Sequence, residues 1–591
     1  MRIRNFLISL GILVVGFFII DIYNSDKFTP NNSQLFYNGT ILTMEDDVPK
    51  IDAVYVENGI INAVGDEVKL RKIAKDGTEF INLNGNTLMP GFIDSHTHPV
   101  ASAFLYNMID LSGFRHKTKE DVWTYFEESV SQYKPDEWIL CKGFDQVLVD
   151  GLEAPHISYL DSIAPNNPVF IASLPMHSYW ANTLAFEVAG IDKYTVNPSE
   201  SSFYEKDDEG NLTGYIVEQE AFEPFKESMI LALGNKGLKK NCVSVLDKYA
   251  KNGNTSITSM GITTDDPKVI RLYEHLSSEN PSFLNNIFSK VGILPKRKPT
   301  VRHFVFIRND ASELLPSSID NGDDFFKIVG VKFWYDGSPY TGTMYIDDPY
   351  LENDLTIDKL HFPHSHSGAA LLNKDELNTL ISNYDSQGWQ IATHAQGDMA
   401  IQEILDIFQD VGIEDGKDSR HRLEHCLLLK ESSIERMRKL NIHPSFHINH
   451  LYYYGEALAE NIIGEKRASQ ILPVSTAEKH SLRYSLHADQ PMFESNPLAL
   501  IHIAVNRKTR DGKSIGSYNK VSVESALKAV TINAAWQIKM EEKIGSIKVE
   551  KYADFVILVE NPFEVSIDKI KDIQILETIV NGNTIYRLKD D

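Results

Sequence analysis

Cysteine is scarce in this chain: Cys141, Cys242 and Cys426 are the only three among 591 residues. They are too few and too far apart for a disulfide framework, and their spacing fits no cysteine-type zinc site. Positive charge is also short. Lys and Arg number 58 against 82 Asp and Glu, a formal net charge of −24 at pH 7. That balance argues against nucleic acid, whose phosphates need clustered cations, and reads as a solvated acidic surface. Long apolar runs are missing except for one, and no internal repeat or long biased tract marks a solenoid or extended disorder.

The rest of the composition is that of a globular protein. A hydrophobic share of 42% and an aromatic share of 10% suffice for a buried core. The length suits a large catalytic domain with one accessory domain. The exceptional apolar run lies at the start, where Arg2 and Arg4 precede Phe6 to Ile20. That is a positive region followed by an apolar region of about signal-peptide length. No small-residue cleavage site follows in Asp21-Ile22-Tyr23-Asn24-Ser25. Residues 1–23 are therefore read as an N-terminal hydrophobic helix that anchors the protein in a membrane, with the catalytic part outside the cytoplasm. A cleaved signal, giving a secreted or periplasmic protein, is the alternative, and a buried helix comes third.

After a polar linker the chain turns β-rich. Leu35 to Thr43, Ala53 to Glu57 and Ile60 to Val64 are short apolar runs, with Asn38-Gly39 and Asn58-Gly59 as hairpin signals. The same character returns at the far end, in Asp554 to Val559 and in Ile573 to Val580 before Asn581-Gly582. Both ends are expected to build one small β-sandwich domain, residues 33–88 plus 540–591, around an inserted middle, 89–539. In the middle, runs that read as buried parallel strands alternate with helical stretches such as Ala400 to Gln409 and Ser432 to Leu440. Val169 to Ser173, Ile328 to Phe333, Gln390 to Thr393 and Arg422 to His425 are such runs. Over this length the alternation favours an α/β fold closed as a (β/α)8 TIM-type barrel.

The strongest local signal is Pro90-Gly91-Phe92-Ile93-Asp94-Ser95-His96-Thr97-His98. Side chains two apart on an extended chain point the same way, so His96 and His98 project together from a strand's C-terminal end, where barrel active sites lie. Two imidazoles on one side begin a zinc-type site. Further candidates end later strands: His394 in Thr393-His394-Ala395-Gln396-Gly397-Asp398, His425 in Glu424-His425, and Asp489 in Asp489-Gln490-Pro491. Lys332 lies in the apolar stretch Val331-Lys332-Phe333-Trp334-Tyr335-Asp336, where an unpaired ammonium is costly. It calls either for a salt bridge, as to Asp336, or for carbamylation by carbon dioxide into a metal-bridging carboxylate. His361-Phe362-Pro363-His364-Ser365-His366 is histidine-dense, but no strand precedes it, and it reads as a surface loop. Asp207-Asp208-Glu209 reads as an acidic turn.

These motifs together resemble the amidohydrolase superfamily, in its branch of N-substituted formamide deformylase-like proteins. Met176-His177-Ser178-Tyr179-Trp180-Ala181-Asn182 and the ending Tyr552-Ala553-Asp554-Phe555-Val556 resemble further elements of that branch. The resemblance implies a distorted barrel with a split β-domain and one or two divalent metal ions, with zinc the first choice by ligand type. It implies that His96 and His98 hold the more buried ion, that carbamylated Lys332 bridges two, and that His394 and His425 hold the second. Asp489 would contact the first ion and move protons, with His425 assisting at the carbonyl. His177, His450 and Trp180 would contact the substrate. Two departures stand out: His447 occupies a position where the branch usually has Gln, and His487-Ala488 replaces a usual Gly-Ser.

The expected function is therefore metal-dependent hydrolysis of a C–N, amide-type bond in a small molecule by activated water. Ester or lactone hydrolysis on the same scaffold is the nearest alternative. A non-catalytic, membrane-attached binding protein is the alternative from another class, and a homo-oligomer is among the assemblies allowed.

Overall fold

A computed structural model describes residues 33–589, apart from positions 175, 199–201, 263, 265 and 414–417. The apolar segment 1–23 lies outside the described residues. Among those described, no helix is long and apolar enough to cross a membrane.

The centre is a parallel sheet of eight strands, named here in chain order. They are β1 (Phe92–Thr97), β2 (Asn254–Met260), β3 (Arg302–Arg308), β4 (Phe326–Trp334), β5 (Gln390–Ala395), β6 (Arg422–His425), β7 (His443–His447) and β8 (Ser485–His487). Each pairs with the next in parallel register from β1 to β8. The seam between β8 and β1 is spanned by side chains. Ser95 Oγ lies 2.9 Å from Ser485 Oγ and 3.2 Å from Ser445 Oγ, so three hydroxyls on three strands share one network. The result is a nearly closed TIM-type barrel. Helices such as Asp398–Asp410 and Glu431–Lys439 follow their strands and bury Ile401, Ile404, Phe408, Ile434 and Met437 against its outside.

Both chain ends meet in one mixed sheet, in the order 583–587, 575–580, 555–558, 87–90, 33–42, 50–57 and 60–65, with 79–82 also on 33–42. This differs from a sandwich of two separate sheets. The strand Ser33–Leu42 shifts register between Tyr37 and Ile41 and passes its partners from one segment to another, so a single sheet bends around the core of Phe36, Val54, Leu88 and Phe555. Asn38-Gly39 is accordingly not a hairpin turn: it lies within that strand, with Asn38 at φ 58°. Asn58-Gly59 and Asn581-Gly582 do connect antiparallel neighbours. The sheet hands over to the barrel at Gly91, between Pro90 and Phe92. A Cβ there would sit 2.0 Å from Thr255 of β2, so only glycine permits this approach. Buried Arg302 of β3 ties the units together, its Nε and Nη2 donating to the Asp554 carboxylate at 2.6 and 2.9 Å.

Between β1 and β2 the chain builds a third, six-stranded sheet and the helix Glu218–Lys251, which is interrupted at Gly234. Val169–Ser173 belongs here, parallel to Ile139–Phe144, and not to the barrel. It is buried on both faces by two separate apolar clusters, and so carries the same local signature as a barrel strand.

Candidate functional site

The C-terminal ends of the barrel strands bring together residues from across the chain. β1 delivers His96 and is followed by His98; β5 delivers His394, β6 His425, β7 His447 and β8 His487, with Asp489 two residues beyond. Asp489 is the hub. Its Oδ1 lies 3.0 Å from His98 Nε2 and 3.3 Å from His96 Nε2, and its Oδ2 lies 4.0 Å from the Nδ1 atoms of both His425 and His447. The Asp489 and His425 backbones hold φ values of 57° and 72°. These left-handed conformations cost roughly 1–3 kcal/mol each for non-glycine residues and are tolerated where surrounding packing enforces them.

Most of these imidazoles are anchored by one ring nitrogen, which leaves the other facing the cluster. His96 Nδ1 donates to Glu424 Oε2 at 2.7 Å. His394 Nδ1 donates to Asp336 Oδ1 at 2.9 Å, His447 Nε2 to the Ala488 carbonyl at 3.0 Å, and His487 Nδ1 lies 2.8 Å from Ser445 Oγ. Such outer contacts fix tautomer and ring orientation around a metal. Glu424 is itself fully buried beside Arg422, whose Nε lies 2.8 Å from its Oε1. Burial pushes that carboxyl up, but Arg422 and His96 outweigh it and hold the pKa down to about 2. Asp336 also accepts from the backbone amides of Gln396 and Gly397, the first residues of a tight loop. Gly397 is required there, because a Cβ would fall 1.8 Å from the Tyr345 carbonyl.

Burial lowers the pKa of His96, His425 and His487, and brings His447 down to about 4, so these rings are neutral near pH 7. Burial raises the Asp489 carboxyl, and the neighbouring His96 and His98 more than reverse this, keeping it ionised. Neutral imidazole and carboxylate are the forms that bind metal. A second sign is the geometry at Asp489 Oδ1. It is buried without a hydrogen-bond partner, although two imidazole nitrogens crowd it, and His98 Nδ1 is likewise unpartnered. Donor atoms that converge at bonding range without forming hydrogen bonds suit a shared cation. Three overlapping groups of donor atoms within 4.8 Å of one another have this arrangement: His96, His425 and His487; His96, His98 and Asp489; His425, His447 and Asp489.

Lys332 projects from β4, fully buried, and its Nζ has no hydrogen-bond partner. The salt bridge to Asp336 does not form, because that carboxylate is occupied by His394 and backbone amides. Burial brings the Lys332 amine down to about 8, with Glu424 and Asp489 opposing. His450 stands beside His447, ring centroids 4.1 Å apart, and its Nδ1 lies 2.6 Å from Tyr340 Oη while Nε2 is unpartnered. His177 and Trp180 are placed differently. His177 lies 3.0 Å from Glu218, and Trp180 packs between Phe144 and Tyr215, so their partners all lie within the insert. Trp180 is only 3% exposed in that sheet's core, and its indole Nε1 has no hydrogen-bond partner. The exposed loop holding His361 and His364 stays apart, with His364 paired to Glu352 at 3.0 Å. The three cysteines are free and buried.

His447 and His487 enter the cluster although sequence reasoning assigned them no ligand role. Their signal was present as two departures from a familiar pattern, both to histidine and both at strand ends.

A parallel barrel with imidazoles and a carboxylate gathered at its strand ends places a candidate metal centre at the mouth where the active sites of TIM-barrel enzymes lie. Residues 79–586 match the amidohydrolase family, and the chain belongs to that family, a family of hydrolases. It is 28% identical to Protein LONG AFTER FAR-RED 3 of Arabidopsis thaliana, covering 93% of this chain and 91% of that protein. It is 25% identical to an N-substituted formamide deformylase of Arthrobacter pascens, covering 93% and 98%. A solved structure of an uncharacterized metal-dependent hydrolase from Pyrococcus horikoshii ot3 superposes with TM-score 0.68 over 90% of this chain and 99% of that one. At 22% identity that likeness speaks for the fold.

Proposed function

We propose that the protein is a metal-dependent amidohydrolase that cuts a C–N, amide-type bond in a small molecule. The observation that carries this reading is the Asp489 carboxylate, with His98 and His96 on one oxygen and His425 and His447 on the other. His96 and His98 with Asp489 would hold one divalent cation, and His394 and His425 a second, with Lys332 bridging if carbamylated. The unprotonated amine is the form that reacts with carbon dioxide, and the fall of the Lys332 pKa from 10.5 to about 8 raises the share of that form, on an Nζ with no hydrogen-bond partner. The cations, zinc by first choice, would polarise the scissile carbonyl and lower the pKa of adjacent water toward neutrality.

The chain's own groups then divide the work. Ionised Asp489 accepts the proton of the attacking water and passes it to the leaving nitrogen. His425, held by its strained backbone, faces Asp489 Oδ2 at 4.0 Å and would act at the developing oxyanion through the cation it holds. Asp336 and Glu424 keep His394 and His96 in fixed tautomers. His98, His394 and Asp489 are the cluster members with measurable exposure, at 15%, 11% and 17%, so substrate enters from their side. His450 Nε2 is a buried polar atom without a partner and would take a substrate group, while His177 would contact substrate from the insert. The apolar start of the chain, with Arg2 and Arg4, supports membrane attachment, which fractionation of the full-length protein tests.

Amidohydrolase chemistry is tested by metal analysis of the purified protein joined to a panel of N-substituted formamides, other amides and esters. Metal at one or two equivalents with turnover of amides over esters supports the reading. Esters turned over in preference would move it to the neighbouring reaction, and a metal-free, inert protein would end it.

A further inference from the structure

We infer that His447 is itself a metal-ligating residue, completing a three-donor cation site with His425 and Asp489. This rests on the reading of the cluster as a metal centre. His447 ends β7 and is 1% exposed. Its Nε2 lies 3.0 Å from the Ala488 carbonyl, which can only accept, so the ring proton is on Nε2 and Nδ1 carries a lone pair. That lone pair faces Asp489 Oδ2 at 4.0 Å, and the His425 Nδ1 faces the same oxygen at 4.0 Å.

The Asp489 oxygen and the His447 lone pair, 4.0 Å apart and beyond hydrogen-bond range, repel unless something positive lies between them. His425 Nδ1, 3.4 Å from His487 Nε2, faces the same gap. Two donors about 2.1 Å from one ion lie about 3.4 Å apart at a tetrahedral angle, so the two 4.0 Å pairs need only a small inward shift to close on an ion. All three donor atoms lie within 4.8 Å of one another. Other contacts hold the ring in this pose: His450 meets it edge-on at 4.1 Å and Phe493 at 5.1 Å.

The test uses full-length protein loaded with Zn2+ or Co2+. H447Q is expected to weaken one equivalent of metal by about tenfold or more in chelator competition. It should also lower the imidazole count in X-ray absorption and change the Co2+ visible spectrum. H447G is expected to regain affinity with added imidazole. Unchanged affinity, imidazole count and spectrum in H447Q, against a wild type that binds metal, would overturn the role of His447 and leave the metal centre standing. A wild type that binds no metal overturns both. Should neither variant fold, wild type loaded with 113Cd decides the matter: a one-bond coupling to His447 Nδ1 supports the assignment, and its absence overturns it.

Discussion

Two regions of this molecule are rich in histidine, and they differ in almost everything else. His361, His364 and His366 are neighbours in sequence, yet they sit on a surface loop where His364 has a side chain 75% exposed and pairs with Glu352. His96, His98, His394, His425, His447 and His487 are scattered over most of the chain, yet their rings pack around one carboxylate. Parallel strand order does the gathering, because every strand ends at the same mouth. Burial then sets the chemistry. In the loop, His361 and His364 are exposed to solvent; at the mouth, outer partners fix one nitrogen and leave the other for the cluster.

The largest expected effect comes from removing the hub. Asp489→Asn keeps the volume but cannot take a proton from water, so kcat/KM should fall about 10³-fold, within the range that proton transfer supplies. Loss smaller than about tenfold would show that the carboxylate does not move the proton. Next is Glu424→Gln, which leaves Arg422 buried without a counter-charge and should cost about 3–5 kcal/mol in denaturant unfolding. The pH sign follows from the lowered pKa, about 2 against an ordinary 4.5. Ionised Glu424 contributes stability above pH 4.5, and that contribution is lost as pH falls from there through 2. The wild type should therefore show an acid-dependent loss that the Gln variant lacks. A variant as stable as the wild type at pH 7 would refute the account of this pair.

A smaller effect is expected one layer out. Asp336→Asn keeps the shape beside His394 but replaces a charged acceptor of its Nδ1–H. Metal affinity should drop about 10- to 100-fold, as for other groups that orient a ligand. Calorimetric titration with Zn2+ reads this directly, and affinity within twofold of wild type would place His394 outside the metal centre.

Much of the site was legible because its residues stand in strand-end motifs. Pro90-Gly91 before β1, the His394 loop and Glu424-His425 each combine a buried run with an abrupt polar stop. What was not legible depends on tertiary context. β2 reads Asn-Thr-Ser-Ile-Thr-Ser-Met, polar in five of its seven positions, yet every residue is buried, and no hydrophobic count finds it. β3 begins with Arg302, whose burial depends on Asp554 from the other end of the chain. Val169–Ser173 has the local signature of a barrel strand and belongs to another sheet, since what separates the two is the partner and not the strand. His447 and His487 could be seen as unusual but not as adjacent, because only the pairing of β7 with β8 sets them side by side.

The smallest effect tests the other half of the comparison. Replacing His361, His364 and His366 together by Ala removes the densest histidine run in the sequence. The His364–Glu352 pair is exposed on both sides and screened by water, so its loss contributes little. His366 lies flat against Tyr350 with centroids 5.9 Å apart, and Tyr350 keeps its separate contact with Phe362 at 5.1 Å. Metal stoichiometry and kcat/KM should stay within twofold of wild type, and unfolding within about 0.5 kcal/mol, the usual scale for surface changes. Loss of a bound ion would mean that nearness in sequence had made a site after all. Retention of every ion, set beside its loss in Asp489→Asn, would show that strand order decides where a histidine counts.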